Sequence, residues 1–272
     1  MRSLRDIALI EEQRQAAGLA AVAPESRALA GGTVARGAPG TWYNSAVGLG
    51  LGARVSDAEI DELIAFHESH GVEPRIEVCP FADETLARGL ASRGFVVRQF
   101  EMCFFRELDP ASPARPLVET PAGLEIRAVD VRRDDEVRAH TMVAVSGFMP
   151  PGQPIAEEFL ESCARALRHE RTIGVGAWLD GRLVGAGAME ATPPSAGLFG
   201  LSVLAEYRRR GIQQALLAWR LNEAARRGCL IACIGSLPGA GTERNVRRMG
   251  FQLAYTKVAL VRPGEGLTPV AG

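Results

Sequence analysis

Three consecutive arginines followed by a glycine stand between a predicted strand and a predicted helix, in the run LSVLAEYRRRGIQ at 201–213. The start of a helix presents backbone N–H groups without intrahelical partners, together with the positive end of the helix dipole. Such a start binds phosphate groups, and Gly211 has no side chain to hold a phosphate away from the backbone. Arg208, Arg209 and Arg210 add positive charge, so the spacing predicts a diphosphate site at this turn.

The turn differs from the two common nucleotide-binding loops. A P-loop would continue into GKS or GKT, and a dinucleotide fingerprint would read GxGxxG, but neither pattern is present at this turn. Taken alone, the turn fits equally well an ordinary strand-to-helix connection whose arginines are solvated. The elements around it are therefore needed to separate a phosphate site from a plain turn.

The C-terminal half alternates strands and helices in an order typical of a mixed α/β sheet. Asp180-Gly181 has the composition of a hairpin turn, and Gly228 and Gly250 each end a helix. The predicted strands lie at 124–129, 172–179, 183–189, 198–203, 230–234 and 251–261, and the predicted helices lie at 130–145, 155–170, 211–227 and 241–249.

The N-terminal half repeats the last part of this order, with a helix at 55–70, a strand at 75–79, a helix at 83–93 and a strand from 94 to 106. The glycines that end the two helices of this half, Gly71 and Gly94, are 23 positions apart, against 22 positions in the C-terminal half. An internal duplication explains the recurrence, and the alternative is chance repetition of a common α/β order.

The helix at 55–70 begins without the features of a phosphate site. Ser56 and Glu59 form a capping-box pattern, so a side-chain hydroxyl already occupies one of the free amides. Asp57 and Glu59 also place two carboxylates in the first turn, where they repel a diphosphate. We therefore predict that residues 1–109 form a degenerate copy, that the proline-rich residues 110–121 form a linker, and that residues 122–272 form the active domain.

The run LSVLAEYRRRGIQQALL resembles the acyl-CoA pyrophosphate motif of the GNAT superfamily of N-acetyltransferases. The tail GTERNVRRMGFQLAYTKVALV resembles the last helix, the Gly-Phe junction and the final strands of that family. The resemblance covers about 123–263. It implies the GNAT fold, in two copies if the duplication holds, and an enzyme that uses acetyl-CoA or another acyl-CoA as co-substrate.

The resemblance also implies roles for individual residues. The backbone of Leu201, Ser202 and Val203 is expected to pair with the pantetheine arm like an added strand. An N–H near Leu201 is expected to polarise the thioester carbonyl, and Asn245 to lie near the pantetheine or the thioester sulfur. The residues expected to hold the pyrophosphate through their amides are Arg208, Arg209, Arg210, Gly211, Ile212 and Gln213.

The sequence departs from the family pattern at two positions. Gln213 stands where glycine or alanine is commonest, and we expect its side chain to point away from the phosphates. Val246 stands where many members have a tyrosine that protonates the leaving thiolate. For the general base we select Glu190, a carboxylate at the predicted end of a strand, and Ser202 is the weaker polar candidate. The alternative is that Glu190 is a solvated turn residue.

The loop at 146–154 is expected to shape the acceptor pocket, where Phe148 and Met149 either line the pocket or belong to the core. His67 and His70 are three residues apart on a helix, but without further ligands nearby we predict no metal site. Cys229 and Cys233 fall in a buried apolar run, and the five cysteines contain no CxxC pair.

The bulk composition narrows the class of partner. A formal net charge of −1 argues against a general nucleic-acid or membrane-surface binder, and no apolar run is long enough to span a membrane, so we expect a cytoplasmic protein. The predicted reaction is direct attack of a small-molecule or peptidyl amine on the thioester in a ternary complex. The alternatives are a non-enzymatic acyl-CoA-binding module and an interaction protein that does not bind CoA.

Overall fold

A computed structural model describes residues 2–149 and 154–270. The helices are α1 (Leu4–Val22), α2 (Asp57–Glu68), α3 (Glu84–Ser92), α4 (Asp134–Ser146), α5 (Glu157–Arg168), α6 (Ile212–Arg226) and α7 (Gly241–Arg248). The strands are β1 (Glu25–Leu29), β2 (Gly32–Arg36), β3 (Ser45–Val47), β4 (Arg75–Val78), β5 (Val96–Glu107), β6 (Leu124–Ala128), β7 (Thr172–Leu179), β8 (Arg182–Thr192), β9 (Ser195–Val203), β10 (Ile231–Ser236) and β11 (Gln252–Val261).

The first of two compact units contains residues up to 104, residues 236–240 and residues from 253 onward. Its strands lie in the order β1-β2-β3-β4-β11-β5. Strand β2 pairs antiparallel with both β1 and β3, β4 is parallel to β3, and β11 is antiparallel to β4. The apolar side of α2 and α3 packs on this sheet through side chains such as Leu63, Phe66 and Leu90.

The second unit contains residues 105–235 and 241–252. Its strands lie in the order β10-β9-β8-β7-β6, with three antiparallel pairings from β6 to β9 and a parallel pairing between β9 and β10. Helix α6 packs Ile212 and Leu216 on Val175, Ala177 and Val184 of the sheet. Because α6 follows β9 directly, this packing fixes the start of the helix at the end of that strand.

The predicted duplication is visible in the order of the elements. In the first half, three antiparallel strands lead through α2 to a parallel strand, then to α3 and β5; in the second, β7, β8 and β9 lead through α6 to the parallel β10, then to α7 and β11. The mixed α/β fold and its repetition are therefore confirmed. The first unit also begins with α1, which the sequence analysis does not predict and which Ser3 and Asp6 cap.

The final strand, β11, lies in the first unit, whereas the predicted linker at 110–121 would place it in the C-terminal domain. Predicted as part of residues 122–272, β11 instead pairs with β4, where Val258 faces Val78 and Val261 faces Arg75. Residues from 253 onward thus belong to the first unit. Whether each predicted domain folds alone stays a prediction. Within the described residues, no helix has the length and apolar character needed to cross a membrane.

Candidate functional site

A β-bulge interrupts the pairing of β8 and β9. Ala186 faces Ser202 and Ala188 faces Phe199, so Gly187 alone opposes Gly200 and Leu201. The backbone of Gly200 has φ of +62°, a conformation that glycine adopts without strain. A bulge takes backbone groups out of the ladder, and this one includes Leu201, near which a carbonyl-polarising N–H is predicted.

The other edge of β9 is paired over only half of its length. Its parallel pairing with β10 runs from Ser195 opposite Ile231 to Leu198 opposite Ile234. Strand β9 continues to Val203, so residues 201–203 lie beyond the paired segment. An extended ligand can therefore add to β9 there, as predicted for Leu201, Ser202 and Val203.

The arginine-rich turn leads directly into the start of α6. A short 3-10 turn covers Ala205–Tyr207, and Gly211 precedes the helix with φ of +74°. Gly211, the residue before the helix, has no side chain that could cap the first amides of α6 through a hydrogen bond. Arg209 and Arg210 are exposed, so their charges face the solvent around these amides. The donors at this turn suit a diphosphate.

Arg208 has a second role that the sequence analysis does not predict. Its Nε donates a hydrogen bond to the carbonyl oxygen of Val203, 3.0 Å away. This bond ties the turn to the end of β9 and occupies a carbonyl that was expected to face the pantetheine. The amides of the turn remain the predicted pyrophosphate ligands.

Two predicted cofactor residues, Gln213 and Asn245, are joined to each other. Asn245 Nδ2 donates a hydrogen bond to Gln213 Oε1 at 2.5 Å, which links the first turn of α6 to α7. Sequence analysis predicts that the Gln213 side chain avoids the phosphates, and in the structure it bonds to Asn245. Both residues stay predicted contacts of the acyl-CoA, and the bond holds their side chains together.

The predicted linker packs along α6. The amide of Ala114 donates to Asn222 Oδ1 at 2.7 Å, and the amide of Leu117 donates to Gln214 Oε1 at 2.8 Å. At the start of the helix, a Cβ on Gly211 would lie 3.0 Å from the carbonyl oxygen of Glu119. Gly211 is therefore required both for its positive φ and for the close approach of this segment.

Glu190, the predicted base, lies inside the sheet rather than at a strand end. Strand β8 continues to Thr192, and Glu190 faces Thr172 on β7 and Gly197 on β9. Its carboxylate is buried and pairs with Arg171, whose Nη2 is 2.5 Å from Oε1. The prediction that β8 ends at Glu190 is therefore wrong, because a polar residue next to a turn sequence does not by itself end a strand. Glu190 lies three positions along β8 from Gly187, which is on the order of 10 Å.

The segment after α4 touches β9 beside the bulge. Ser146 Oγ is 3.5 Å from Ser202 Oγ, and a Cβ on Gly147 would lie 2.5 Å from Ser202 Oγ. Phe148 is exposed, so it is available to an acceptor rather than part of the core. The rest of the predicted acceptor loop, 150–153, lies outside the described residues.

Two buried basic side chains that the sequence analysis missed hold the bulge. His140 Nε2 lies 2.9 Å from the carbonyl oxygen of Gly187, and Arg220 Nη1 lies 3.0 Å from that of Ala188. Burial lowers the pKa of His140, although its bonds to the carbonyls of Gly187 and Val175 oppose the shift. Arg220 was detectable, because it stands four residues after Leu216 in the apolar stripe of α6.

At the equivalent helix start in the first unit, that of α2, side chains already accept hydrogen bonds from two backbone amides. Ser56 Oγ accepts a hydrogen bond from the amide of Glu59, and the Glu59 carboxylate accepts one from the amide of Ser56. The predicted capping box is thus confirmed. The pKa of Glu59 is lowered by these hydrogen bonds with Ser56, so a negative charge stands where a phosphate would bind.

Residues 137–251 match the acetyltransferase (GNAT) family. A search among curated proteins finds no relative. The chain is similar in structure to a GCN5-related N-acetyltransferase from Kribbella flavida, with a TM-score of 0.72 at 20% identity over 96% of this chain and 97% of that one. A tandem GNAT protein from the clavulanic acid biosynthesis pathway gives 0.61 at 16% identity over 97% and 98%. A GCN5-related N-acetyltransferase from Sphaerobacter thermophilus gives 0.55 at 19% identity over 76% and 68%.

Proposed function

We propose that this chain, whose residues 137–251 match the acetyltransferase (GNAT) family, transfers an acetyl group from acetyl-CoA to an amine by direct attack in a ternary complex. The observation that carries this proposal is the conjunction of a bulge in β9, an edge of β9 that continues past its pairing with β10, and an uncapped start of α6. Each of the three offers backbone groups to a different part of one acyl-CoA molecule.

Binding would use the backbone more than side chains. The amides at the start of α6 would take the pyrophosphate, and Leu201 to Val203 would pair with the pantetheine. Charge-assisted hydrogen bonds contribute roughly 1.5–3 kcal/mol each, so a few of them suffice for micromolar binding. The donor set present at Arg208 to Gln213 fits a diphosphate. The bond between Gln213 and Asn245 would have to open or shift.

The reaction would form a C–N bond between the amine and the acetyl carbon and break the C–S bond to CoA. An amide of the bulge would stabilise the oxyanion of the tetrahedral intermediate. A neutral amine loses one proton to a base as the bond forms, and an ammonium form loses a further proton before attack. The sulfur leaves as a thiolate that later takes a proton from solvent. Glu190 lies too far from the bulge for direct contact with it, so we propose that it accepts the proton through water.

Glu190→Gln is expected to lower kcat by about a hundredfold at neutral pH, the lower end of the range for general-base catalysis, and to leave the Kd for CoA nearly unchanged. The loss should shrink at alkaline pH, where more of the acceptor amine is already deprotonated. Steady-state rates from pH 6.5 to 9.5, with calorimetry for CoA, check both parts. A wild-type pH–rate profile in this variant would remove Glu190 from the mechanism.

Gln213→Ala is expected to tighten acetyl-CoA binding by about threefold to tenfold, since binding would no longer cost the hydrogen bond to Asn245. Asn245→Ala breaks the same bond but removes a proposed ligand of the pantetheine, so it should weaken binding. Calorimetric titration of the two variants gives opposite signs if both assignments hold. Equal effects would mean that the bond has no part in ligand entry.

A non-enzymatic acyl-CoA-binding module is the second candidate, and one observation favours it. Val246, at the position of the thiolate-protonating tyrosine, is fully buried. Tyr255 does not replace that tyrosine, because its hydroxyl donates to Glu12 Oε1 in the first unit. Release of CoA from acetyl-CoA in the presence of a panel of small amines and peptides tests the proposal. CoA binding without acetylated product from any amine would favour the module.

A further inference from the structure

Arg220 lies in the middle of α6 and is completely buried. Its Nε donates to the carbonyl oxygen of Leu216 at 3.2 Å, within the helix. Its Nη1 donates to the carbonyl oxygens of Ala188 at 3.0 Å and Phe199 at 3.3 Å. Ala188 and Phe199 are the last residues that face each other before the bulge. The guanidinium therefore joins β8 to β9 where their register changes.

The residues around the guanidinium are shaped to admit it. A Cβ on Gly187 would lie 3.3 Å from Arg220 Cζ and 3.4 Å from Leu201 Cδ1. Glycine at this position lets Arg220 lie against the backbone of β8, next to the side chain of Leu201. The bulge, its glycine and the arginine thus form one packed arrangement.

Core stability alone does not account for an arginine at this position. Among the described residues, no carboxylate forms an ion pair with Arg220, and its Nη2 is buried without a hydrogen-bond partner. Burial lowers the pKa of the Arg220 guanidinium to about 9, which leaves it charged at neutral pH. A buried, unpaired cation is costly, and an apolar side chain would usually be more stable there.

We propose that Arg220 is a positioning residue for acyl transfer: it holds the bulge at Gly200 and Leu201 and directs positive charge to the amides that face the thioester. This inference rests on the function proposed above. The carbonyl of Phe199 and the N–H of Gly200 belong to one peptide group. A cation bonded to that carbonyl polarises the peptide and strengthens its N–H as a donor. The oxyanion of the tetrahedral intermediate would gain most from this effect.

His140 completes the support from α4. This titratable side chain reaches the same part of β8 through its contact with the Gly187 carbonyl. A positive charge on its ring would repel the Arg220 guanidinium. Because burial lowers the pKa of His140, the ring is neutral at physiological pH and adds no second positive charge beside Arg220. The electrostatic effect at the bulge is therefore assigned to Arg220.

Arg220→Met removes the charge and both strand contacts. We expect kcat for acetyl transfer to fall by about a hundredfold, as when a donor to an oxyanion is lost, while the Kd for CoA changes less than about threefold. Arg226→Met, on the exposed face of the same helix, is the matched control, since Arg226 pairs with Glu223 at the surface. Its kcat should equal that of the wild type.

Arg220→Lys separates charge from packing and covers the case in which the methionine variant does not fold. A buried lysine has a pKa below its ordinary value of about 10.4, so it loses its proton as the pH rises. Because the buried lysine binds a proton more weakly than the unfolded chain does, protonation favours unfolding at low pH. The stability of this variant relative to wild type therefore rises with pH. Its kcat relative to wild type should instead fall between pH 6 and 8.5.

The two proposals fail in different ways. If the wild type transfers no acetyl group to any amine tested, both fall. If the wild type is active but kcat for Arg220→Lys rises with pH in parallel with its stability, Arg220 acts only in folding. The same conclusion holds if Arg220→Met folds and keeps the wild-type kcat.

Discussion

Replacing Gly211 by valine is expected to weaken acetyl-CoA binding on the order of a hundredfold. The backbone of Gly211 has φ of +74°, where a β-branched residue is strained, and a Cβ there would lie 3.0 Å from Val118 Cγ2 and the Glu119 carbonyl oxygen. The turn must therefore shift and move the amides of Ile212 and Gln213. Loss of two charge-assisted hydrogen bonds of roughly 1.5 kcal/mol each corresponds to that change in affinity.

Gly228→Val provides the control at the opposite end of α6. Gly228 also has a positive φ, +83°, but a Cβ there would meet no atom within 4 Å. Both variants should therefore lose some stability through backbone strain, whereas only Gly211→Val should lose ligand binding. Calorimetry and thermal unfolding of the two proteins separate these effects. Equal CoA affinity in both variants would contradict the assignment of the phosphate site to this turn.

The same titration tests the prediction that the first half binds no CoA. The wild type should bind one CoA per chain, since Ser56 and Glu59 already occupy the equivalent helix start. If the wild type bound two CoA molecules per chain and Gly211→Val kept one of them, the second site would lie away from this turn, and the degenerate-copy prediction would be wrong.

The parts of the fold that follow from local signals could be predicted from the sequence. The strand predicted at 172–179 is observed at Thr172–Leu179, and the helix predicted at 211–227 is observed at Ile212–Arg226. The capping box at Ser56 is present as predicted. In each case turn glycines, caps and apolar periodicity act within a few residues of chain.

Features that depend on distant partners were not predictable in the same way. Periodicity identifies β11 as a strand but carries no information about its neighbour, and it pairs with β4 of the first half. The bulge at Gly200 depends on the register between β8 and β9, which the hydrophobic pattern of a strand buried on both faces specifies poorly. Arg220 gave a usable signal, because a charged residue in an apolar stripe needs partners across the core.

Replacing Lys257 by methionine is expected to destabilise the protein by about 3–5 kcal/mol, the cost of breaking a buried ion pair. Lys257 is the only lysine in the sequence and is 2% exposed. Its Nζ lies 2.6 Å from Glu77 Oε2, 3.7 Å from Glu12 Oε1 and 4.0 Å from Glu101 Oε2. Without the ammonium group, three neighbouring carboxylates in the first unit lose their shared cation. Urea unfolding measures the change.

Two further variants define the origin of the loss. Arg88→Met breaks an exposed pair with Glu84 and should change the free energy of unfolding by no more than about 1 kcal/mol. Lys257→Arg keeps the charge but places a larger, planar guanidinium where a compact ammonium group fits. It should therefore recover only part of the stability that Lys257→Met loses. A methionine variant as stable as Arg88→Met would show that the cluster is neutral or hydrated.

The pH dependence of Lys257→Met follows from the pKa shifts in the wild type. Although burial lowers it, the pKa of Lys257 is raised well above its ordinary value by Glu12, Glu77 and Glu101. Burial already raises the pKa of Glu12 and Glu101 against the opposing charge of Lys257, so removing that charge must raise both further. A carboxyl with a raised folded pKa is protonated more readily in the folded state, so stability is lost as the pH rises from its unfolded value through its folded one. The penalty of Lys257→Met should therefore be smaller at pH 5.5 than at pH 8, and a penalty that is constant across this range would mean that the carboxylates do not depend on Lys257.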